Sequence, residues 1–380
     1  VLSRPFTTLS GGERTKVLLA ALFIREGKFP LIDEPTNHLD LEGRRVVGEY
    51  LRRRSGFILV SHDRAFLDLA VDHILSINRS GLDLQKGNYS SWLQNREYRD
   101  QYEAAGNRQI SPEIKKLTGT TRQSATWSDK AERGKYGAGP VGRGFIGHKA
   151  AKVRKRSTNA ERRREEALET KKSLLVNVEA NEKLSLATEA HHASRLLTMN
   201  ELSVSFGSKM VLRDINLSLD RGQRLLVSGT NGSGKSTLLK LAAGFDIPCK
   251  GFLKRASCLE VSWLPQDLEA LGEGSLKGWI AKEGLDESRL KAILHKLGFV
   301  KNQFETSLAD FSYGQKKKIM IAGCLCRPAH LHIWDEPLNY IDLISREQIE
   351  ELILEHQPTM LLVEHDLRFA EKVATDVIYL

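Results

Sequence analysis

The residues best suited to chemistry form a glycine-rich segment at 229–237, which fits the pattern G-x-x-x-x-G-K-[ST]. Apolar stretches on either side predict a strand at 224–228 and a helix from 237. Glycines let backbone N–H groups surround phosphate oxygens at a helix N-terminus, where the helix dipole favours anions. We expect Lys235 to reach the β- and γ-phosphates of a nucleotide and Ser236 to bind Mg²⁺. The predicted phosphate-binding residues are Gly229, Thr230, Asn231, Gly232, Ser233, Gly234, Lys235, Ser236 and Thr237.

Two adjacent carboxylates end another apolar stretch, nearer the C-terminus. Asp335 and Glu336 follow a predicted strand, which places both at the nucleotide edge of a parallel sheet. Of two adjacent acids at such an edge, one can bind the metal ion and the other can activate water. Asp335 is expected to hold Mg²⁺, and Glu336 to polarise the attacking water.

Three further side chains are candidates for the same site. His365 follows the apolar residues 360–363 and could steady the water or the γ-phosphate, or serve a structural role. Gln266 follows 261–264 and is a candidate ligand for magnesium and water. Phe206 lies in an apolar stretch before the phosphate loop. It could stack on adenine or pack in the core.

The two ends of the chain resemble each other. Leu-Ser-Gly-Gly-Glu at 9–13 and Phe-Ser-Tyr-Gly-Gln at 311–315 are each followed by an Asp-Glu-Pro segment, at the same spacing in both copies. The copies lie 302 positions apart, so one domain type is used twice. In the first copy, Glu34 and His62 are the expected catalytic residues and Asp33 the expected Mg²⁺ ligand.

Positive charge is concentrated between the copies. The chain has 57 Lys and Arg against 48 Asp and Glu, yet residues 108–164 alone contain 16 basic and four acidic residues. Polar stretches on either side predict two long helices joined by a glycine-rich basic tip at about 123–147. Such a hairpin suits RNA, although a solvated helical face is the alternative. Candidate RNA contacts are Trp127, Lys130, Arg133, Lys135, Tyr136, Arg143, Phe145, Lys149 and Lys152.

Composition excludes several classes of protein. The longest apolar run, 17–24, is far shorter than the ~18–20 residues that a membrane span requires. Four cysteines in 380 residues form no disulfide framework. We therefore expect a cytoplasmic protein. The repeat and the position of the basic segment divide it into three parts: 1–88, the end of a first domain; 89–194, a basic helical hairpin; and 195–380, a second domain.

Together these motifs resemble the nucleotide-binding domains of ABC ATPases. The resemblance implies an α/β fold with tandem ABC-type P-loop domains joined by a long α-helical hairpin linker, and ATP hydrolysis with Mg²⁺. It also implies that the two domains pair within one monomer, so that each signature contacts ATP held by the opposite domain. The signature residues are Ser10, Gly11, Gly12 and Glu13 in the first copy and Ser312, Gly314 and Gln315 in the second.

The segment Asp-Glu-Pro-Thr-Asn-His-Leu-Asp at 33–40 and the hairpin narrow the resemblance to the ABC-F subfamily. Residues 144–152, 312–318 and 334–342 are similar to the Lsa/Vga-type antibiotic-resistance group. That similarity implies binding to the bacterial ribosome, with rRNA and P-site tRNA as contacts. It also implies displacement of lincosamide, pleuromutilin or streptogramin A drugs. No membrane partner and no DNA are expected.

Three other functions are consistent with parts of the sequence. A housekeeping ABC-F translation factor would act on tRNA-bound ribosomes without a drug phenotype. The ATPase subunit of a transporter would need a membrane partner and has no obvious use for the basic hairpin. A DNA-repair ATPase of related fold would ordinarily carry zinc-binding cysteine pairs.

Two departures from the family pattern affect these expectations. Tyr313 stands where the first signature has Gly11, so we predict two unequal sites. The first copy has no phosphate loop before its signature, and the repeat predicts that about 100 residues of this domain precede Val1. The expectation is one complete ATP site, built on Lys235 and Glu336 with Ser10 contributed by the first copy.

Overall fold

A computed structural model describes residues 5–9, 11–24, 27–37, 39–54, 56–78, 81–99, 101–102, 105, 112 and 183–380. The chain divides into two units: residues 1–90 with 181–380, and residues 91–180. In the second unit, residues 91–99 are helical. The predicted hairpin tip, its nine candidate RNA contacts and the signature residue Ser10 lie outside the described residues.

The first copy forms alternating short strands and helices. Strands β1 and β2 pair in parallel, with Asp33 opposite Val60, whereas β3 and β4 form an antiparallel hairpin. Asp40 and Asp63 each cap the helix that follows by accepting a backbone N–H, which fixes where that helix begins. The elements are α1 (Gly11–Ile24), β1 (Leu31–Asp33), α2 (Leu41–Arg52), β2 (Ile58–Val60), α3 (Arg64–Ala70), β3 (His73–Asn78) and β4 (Gly81–Lys86).

Within the described residues 183–380, the second copy is a larger α/β domain with eight strands and six α-helices. Its strands are β5 (Arg195–Phe206), β6 (Lys209–Asp220), β7 (Arg224–Ser228), β8 (Cys249–Arg255), β9 (Val261–Leu264), β10 (Leu331–Asp335), β11 (Met360–Val363) and β12 (Asp376–Tyr379). Its helices are α4 (Lys235–Ala243), α5 (Leu276–Glu283), α6 (Glu287–Lys296), α7 (Tyr313–Cys326), α8 (Leu343–His356) and α9 (Leu367–Val373).

One parallel sheet, in the order β12-β7-β11-β10-β9, forms the centre of this domain. Strands β10 and β11 are buried along their whole length, which is why they are almost continuously apolar. A separate antiparallel sheet has the order β6-β5-β8. Since parallel strands point the same way, the residues that follow β7, β9, β10 and β11 all emerge at one edge.

The repeat and the predicted fold class are confirmed. Asp335 lies opposite Val363 in the β10–β11 pair, just as Asp33 lies opposite Val60 in the first copy. Asp342 and Asp366 also cap α8 and α9, as their counterparts cap α2 and α3. In the described residues, no helix is long and apolar enough to cross a membrane.

The linker ends earlier than position 194. Leu184 and Leu186 are buried in the core of the second domain, and Thr188 pairs with Ala329 in a β-bridge. Lys183 also forms an ion pair with Glu355 of α8 at 3.1 Å. The mixed polar composition of this stretch hid its two buried leucines, so residues 183–194 belong with the second domain.

Truncating a core leucine should destabilise this domain strongly. Leu361 is fully buried in β11, so Leu361→Ala should lower the free energy of unfolding by about 2–5 kcal/mol through lost burial and a residual cavity. Leu354→Ala is the matched control on the exposed side of α8, with an expected change of about 0.5 kcal/mol or less. Urea unfolding monitored by circular dichroism measures both. Equal losses in the two variants would contradict this assignment of the core.

Candidate functional site

The glycine-rich loop connects β7 to α4, as its pattern predicts. Gly234 precedes the first residue of α4 and has a φ of 98°, in the left-handed region. A Cβ at this position would lie 2.7 Å from Leu212 Cδ2 and 3.0 Å from the carbonyl oxygen of Val211. Glycine is therefore required for both conformation and space. The loop ends at the N-terminus of α4, where the free backbone N–H groups and the helix dipole favour binding of an anion.

Lys235 places a positive charge over this loop. Its Nζ donates to the carbonyl oxygens of Gly229, at 2.8 Å, and Thr230, at 2.9 Å. Burial lowers the pKa of Lys235, while the carboxylates of Glu336 and Asp335 raise it in opposition. Phosphate oxygens approaching the loop would thus meet a cation already held in place.

Asp335 and Ser236 have the properties of magnesium ligands. Burial raises the pKa of Asp335 to about 6, although a hydrogen bond from Ser236 acts against this. The buried Oδ1 atom of Asp335 has no hydrogen-bond partner, and a cation would satisfy it. In the described ranges, no three His, Cys, Asp or Glu side chains converge on a metal site. An ion here would also use hydroxyl, amide or phosphate oxygens, which suits Mg²⁺.

Glu336 is held immediately beyond β10 by four contacts. Its backbone has a φ of 48°, and its N–H donates to Val363 O at 3.0 Å. Its Oε2 accepts from Gln266 Nε2 at 2.9 Å and from the amide of Asn339, and His365 Nε2 lies 3.5 Å from its Oε1. Burial alone would raise the pKa of Glu336, but His365 and two nearby lysines bring it below its ordinary value. The side chain is therefore an ionised acceptor at neutral pH.

The first copy reproduces this geometry with a different charge balance. Glu34 has a φ of 44°, its N–H donates to Val60 O at 2.8 Å, and His62 Nε2 lies 3.6 Å from its Oε1. Burial raises the pKa of Glu34 to about 7, partly offset by Arg346, and burial lowers the pKa of His62. Asp33 ends β1 in an exposed position. The two glutamates are thus equivalent in backbone but not in protonation.

The two copies meet at the phosphate loop. Asn231 of the loop donates its N–H to Asp40 Oδ2 of the first copy at 3.5 Å. Close by, Arg44 Nη1 donates to the carbonyl oxygen of His365 at 3.2 Å. Arg64 forms a buried ion pair with Glu350 at 2.8 Å. Residues of the first copy therefore border the site of the second, which agrees with the predicted pairing of the two domains.

The second signature begins α7. Ser312 and Gln315 form a reciprocal capping box there, and a Cβ on Gly314 would lie 2.5 Å from Tyr340 O. The ring of Tyr313 packs on that of Tyr340, with centroids 4.4 Å apart. In the first copy Gly11, Gly12 and Glu13 form the first turn of α1. Contact between either signature and a nucleotide stays a prediction.

Phe206 ends β5 with 53% of its surface exposed. The alternative that it packs in the core is therefore wrong. An exposed ring near the phosphate loop in sequence remains available for stacking, and its contact with adenine stays a prediction.

Sequence reasoning missed two residues that hold the strand ends in place. The Glu364 carboxylate accepts the N–H groups of Leu338, at 3.1 Å, and His365, at 2.7 Å. The first copy has Ser61 at that position, and its hydroxyl lies 3.4 Å from that of Thr36. Since Ser and Glu differ in length and charge, comparing the repeats could not reveal this shared position.

Lys317 is the second of these residues. It is fully buried, and its Nζ donates to Pro265 O at 3.1 Å and to Asp335 O at 3.4 Å. The signature helix is thereby tied to the ends of β9 and β10. Lys317 lies between Lys316 and Lys318, a run typical of a solvated face. The only sequence signal is its position one helical turn before the apolar Ile321.

The chain is similar in sequence to known ATP-binding proteins. The sequence profile of the ABC transporter family matches residues 212–339. The chain is 29% identical over 375 residues to the Ribosome protection protein VmlR of Bacillus subtilis, covering 97% of this chain and 68% of that protein. It is 30% identical over 388 residues to the protein described as Probable ATP-binding protein YheS from Escherichia coli O6:H1, covering 100% of this chain and 56% of the relative.

A solved structure supports the fold. The archaeal ribosome recycling factor aABCE1, in complex with the stalk protein aP1, superposes with a TM-score of 0.63 at 22% identity. The match covers 100% of this chain and 63% of that one. The chain thus spans roughly half to two thirds of the proteins it resembles.

Replacing Glu34 should stabilise the fold in a pH-dependent way. The folded state binds a proton at Glu34 between pH 4.5 and about 7, where the unfolded chain does not, so ionisation at high pH opposes folding. Glu34→Gln should raise the free energy of unfolding by about 1–3 kcal/mol at pH 8 and by much less at pH 5. The exposed Glu49→Gln is the control. Chemical denaturation at both pH values measures the effect, and an equal gain at both would contradict it.

Proposed function

We propose that the chain belongs to the ABC-F group of ABC ATPases and that it binds and hydrolyses ATP at the site beside Glu336. One observation carries this proposal. An ionised glutamate in contact with Gln266 and His365 lies next to Asp335, whose buried oxygen lacks a partner, at the edge where the phosphate loop emerges.

Each part of the site has a role in this reaction. The loop N–H groups and Lys235 bind the phosphates, and Ser236, Asp335 and Gln266 are the candidate ligands for Mg²⁺, which would neutralise phosphate charge. Glu336 accepts a hydrogen bond from the attacking water and then its proton. Gln266 and His365 hold that carboxylate in position from two sides. Glu34 and His62 are the corresponding pair in the first copy.

Glu336→Gln should separate binding from hydrolysis. The amide keeps the size of the side chain but cannot accept the proton, so turnover should fall by about 10²–10⁴-fold, with ATP affinity within about twofold of the parent. The control is Glu351→Gln on the exposed side of α8. Phosphate release and binding of a fluorescent ATP analogue are the two measurements. Undiminished turnover would remove Glu336 from the proposed mechanism.

We propose further that the protein acts on the bacterial ribosome and displaces drugs of the lincosamide, pleuromutilin and streptogramin A classes. Support comes from the net charge of residues 108–164, from the resemblance at 144–152, 312–318 and 334–342, and from whole-chain similarity to a ribosome protection protein. The basic segment would contact rRNA and P-site tRNA. Such a protein would work in the cytoplasm.

A housekeeping role in translation is the second candidate. YheS, described only as an ATP-binding protein, is as similar to this chain as VmlR is. Both candidates use the same ATP site and the same ribosomal target. They differ only in whether expression protects a susceptible bacterium from drugs.

Sedimentation with bacterial ribosomes tests the target. Protein with Glu34→Gln and Glu336→Gln should hold ATP without hydrolysis and pellet with ribosomes only when ATP is present. Adding Lys235→Ala to the same protein should abolish pelleting, because the phosphates lose their cation. Protein that stays in the supernatant at low salt would overturn the ribosomal proposal. A drug-susceptibility assay of an expressing strain then separates protection from housekeeping.

A further inference from the structure

Arg44 lies buried at the start of α2 and contacts three segments at once. Its Nε donates to Leu39 O at 3.1 Å, within the first copy. Its Nη1 lies 2.6 Å from Asp63 Oδ2 and 3.2 Å from the carbonyl oxygen of His365. The last contact crosses from the first copy to the second. A planar guanidinium suits such a junction, because its donors point in fixed directions.

Both ends of this junction lead to the nucleotide site. Leu39 directly precedes Asp40, whose carboxylate accepts the N–H of Asn231 in the phosphate loop. His365 places its ring 3.5 Å from Glu336. The backbone that carries Asp40 and the backbone that carries His365 are therefore joined through one buried side chain. A shift of either segment must be shared by the other or break the hydrogen bonds of Arg44.

The second copy contains an arginine that matches Arg44 of the first. Arg346 Nε donates to Ile341 O at 2.8 Å, and its Nη1 lies 3.3 Å from Asp366 Oδ2, which repeats the internal contacts of Arg44. The positive charge of Arg346 lowers the pKa of both Glu34 and His62 in the first copy. Arg44 thus contacts the backbone of His365 in the second copy, and the charge of Arg346 acts on Glu34 and His62 of the first.

We propose that Arg44 is a positioning residue that acts across the domain interface, holding His365 against Glu336 while Asp40 lies on the phosphate loop. Closure of the first copy over the loop is thereby coupled to the geometry of the reacting carboxylate in the second. This inference rests on the proposed ATPase function, and it assigns to Arg44 no contact with the nucleotide.

Kinetics of three variants test the proposal. Arg44→Met should lower kcat by about 10- to 100-fold, with KM for ATP within about twofold, because phosphate binding is untouched and only alignment is lost. Arg45→Met is the matched control, since Arg45 is exposed and, among the described residues, pairs with Glu42 and Glu49 of its own helix. The double variant Arg44→Met/Asp63→Asn removes the buried carboxylate that Arg44 would leave unpaired. It should recover thermal stability but not kcat.

Hydrogen exchange separates this inference from the ATPase proposal. The N–H groups of His365 and Asp366, both bound to Glu364, should exchange at least about fivefold faster in Arg44→Met and in the double variant than in Arg45→Met. Exchange at the parental rate in Arg44→Met or in the double variant would overturn the role of Arg44. Recovery of kcat in the double variant would overturn it as well. A parent chain without ATP hydrolysis would instead overturn the proposed function, and the exchange rates alone would then decide the positioning role.

Discussion

The site depends on one continuation of the β10–β11 pairing past the end of the strand. Glu336 adopts a left-handed backbone and still donates its N–H to Val363 O, so its carboxylate turns toward the residues that follow β11. A non-glycine residue in this conformation costs about 1–3 kcal/mol and persists only where the surroundings enforce it. The same conformation and the same hydrogen bond recur at Glu34. Two independent occurrences at matched positions mark this strained turn as the element that the rest of the site is built around.

Around that turn, charge distinguishes the two copies. Glu336 lies within the field of Lys235 and Lys317, which oppose the effect of its burial on its pKa. At Glu34, Thr15 stands where the second copy has Lys317, and the charge of Arg346 offsets the effect of burial on the pKa only in part. One backbone geometry therefore supports an ionised glutamate in one copy and a readily protonated one in the other. This difference in the pKa of the two glutamates adds to the sequence difference between the signatures at Tyr313.

Local sequence was enough to predict the phosphate loop, the carboxylates after β10, the histidine after β11 and the repeat, because each depends on spacing within one strand–turn unit. Gln266, predicted to serve the same site, donates to Glu336, and its role as a ligand for magnesium stays a prediction. What could not be predicted depends on tertiary burial. Lys317 looks like a solvated lysine, Leu184 and Leu186 lie in a polar stretch, and Phe206 lies outside the core despite its apolar neighbours. The role of Arg44 depends on its contact with His365, a residue 321 positions away, which local sequence does not indicate.

The contrast between Ser61 and Glu364 shows how the two copies have diverged. In the first copy a short hydroxyl lies beside the hydroxyl of Thr36, whereas in the second a longer carboxylate reaches the backbone N–H of Leu338, the residue that replaces Thr36. The change from serine to glutamate after one strand is thus accompanied by the change from threonine to leucine after the adjacent strand. A graft of either segment between the copies would have to carry both members, because each alone would leave a buried polar group unsatisfied.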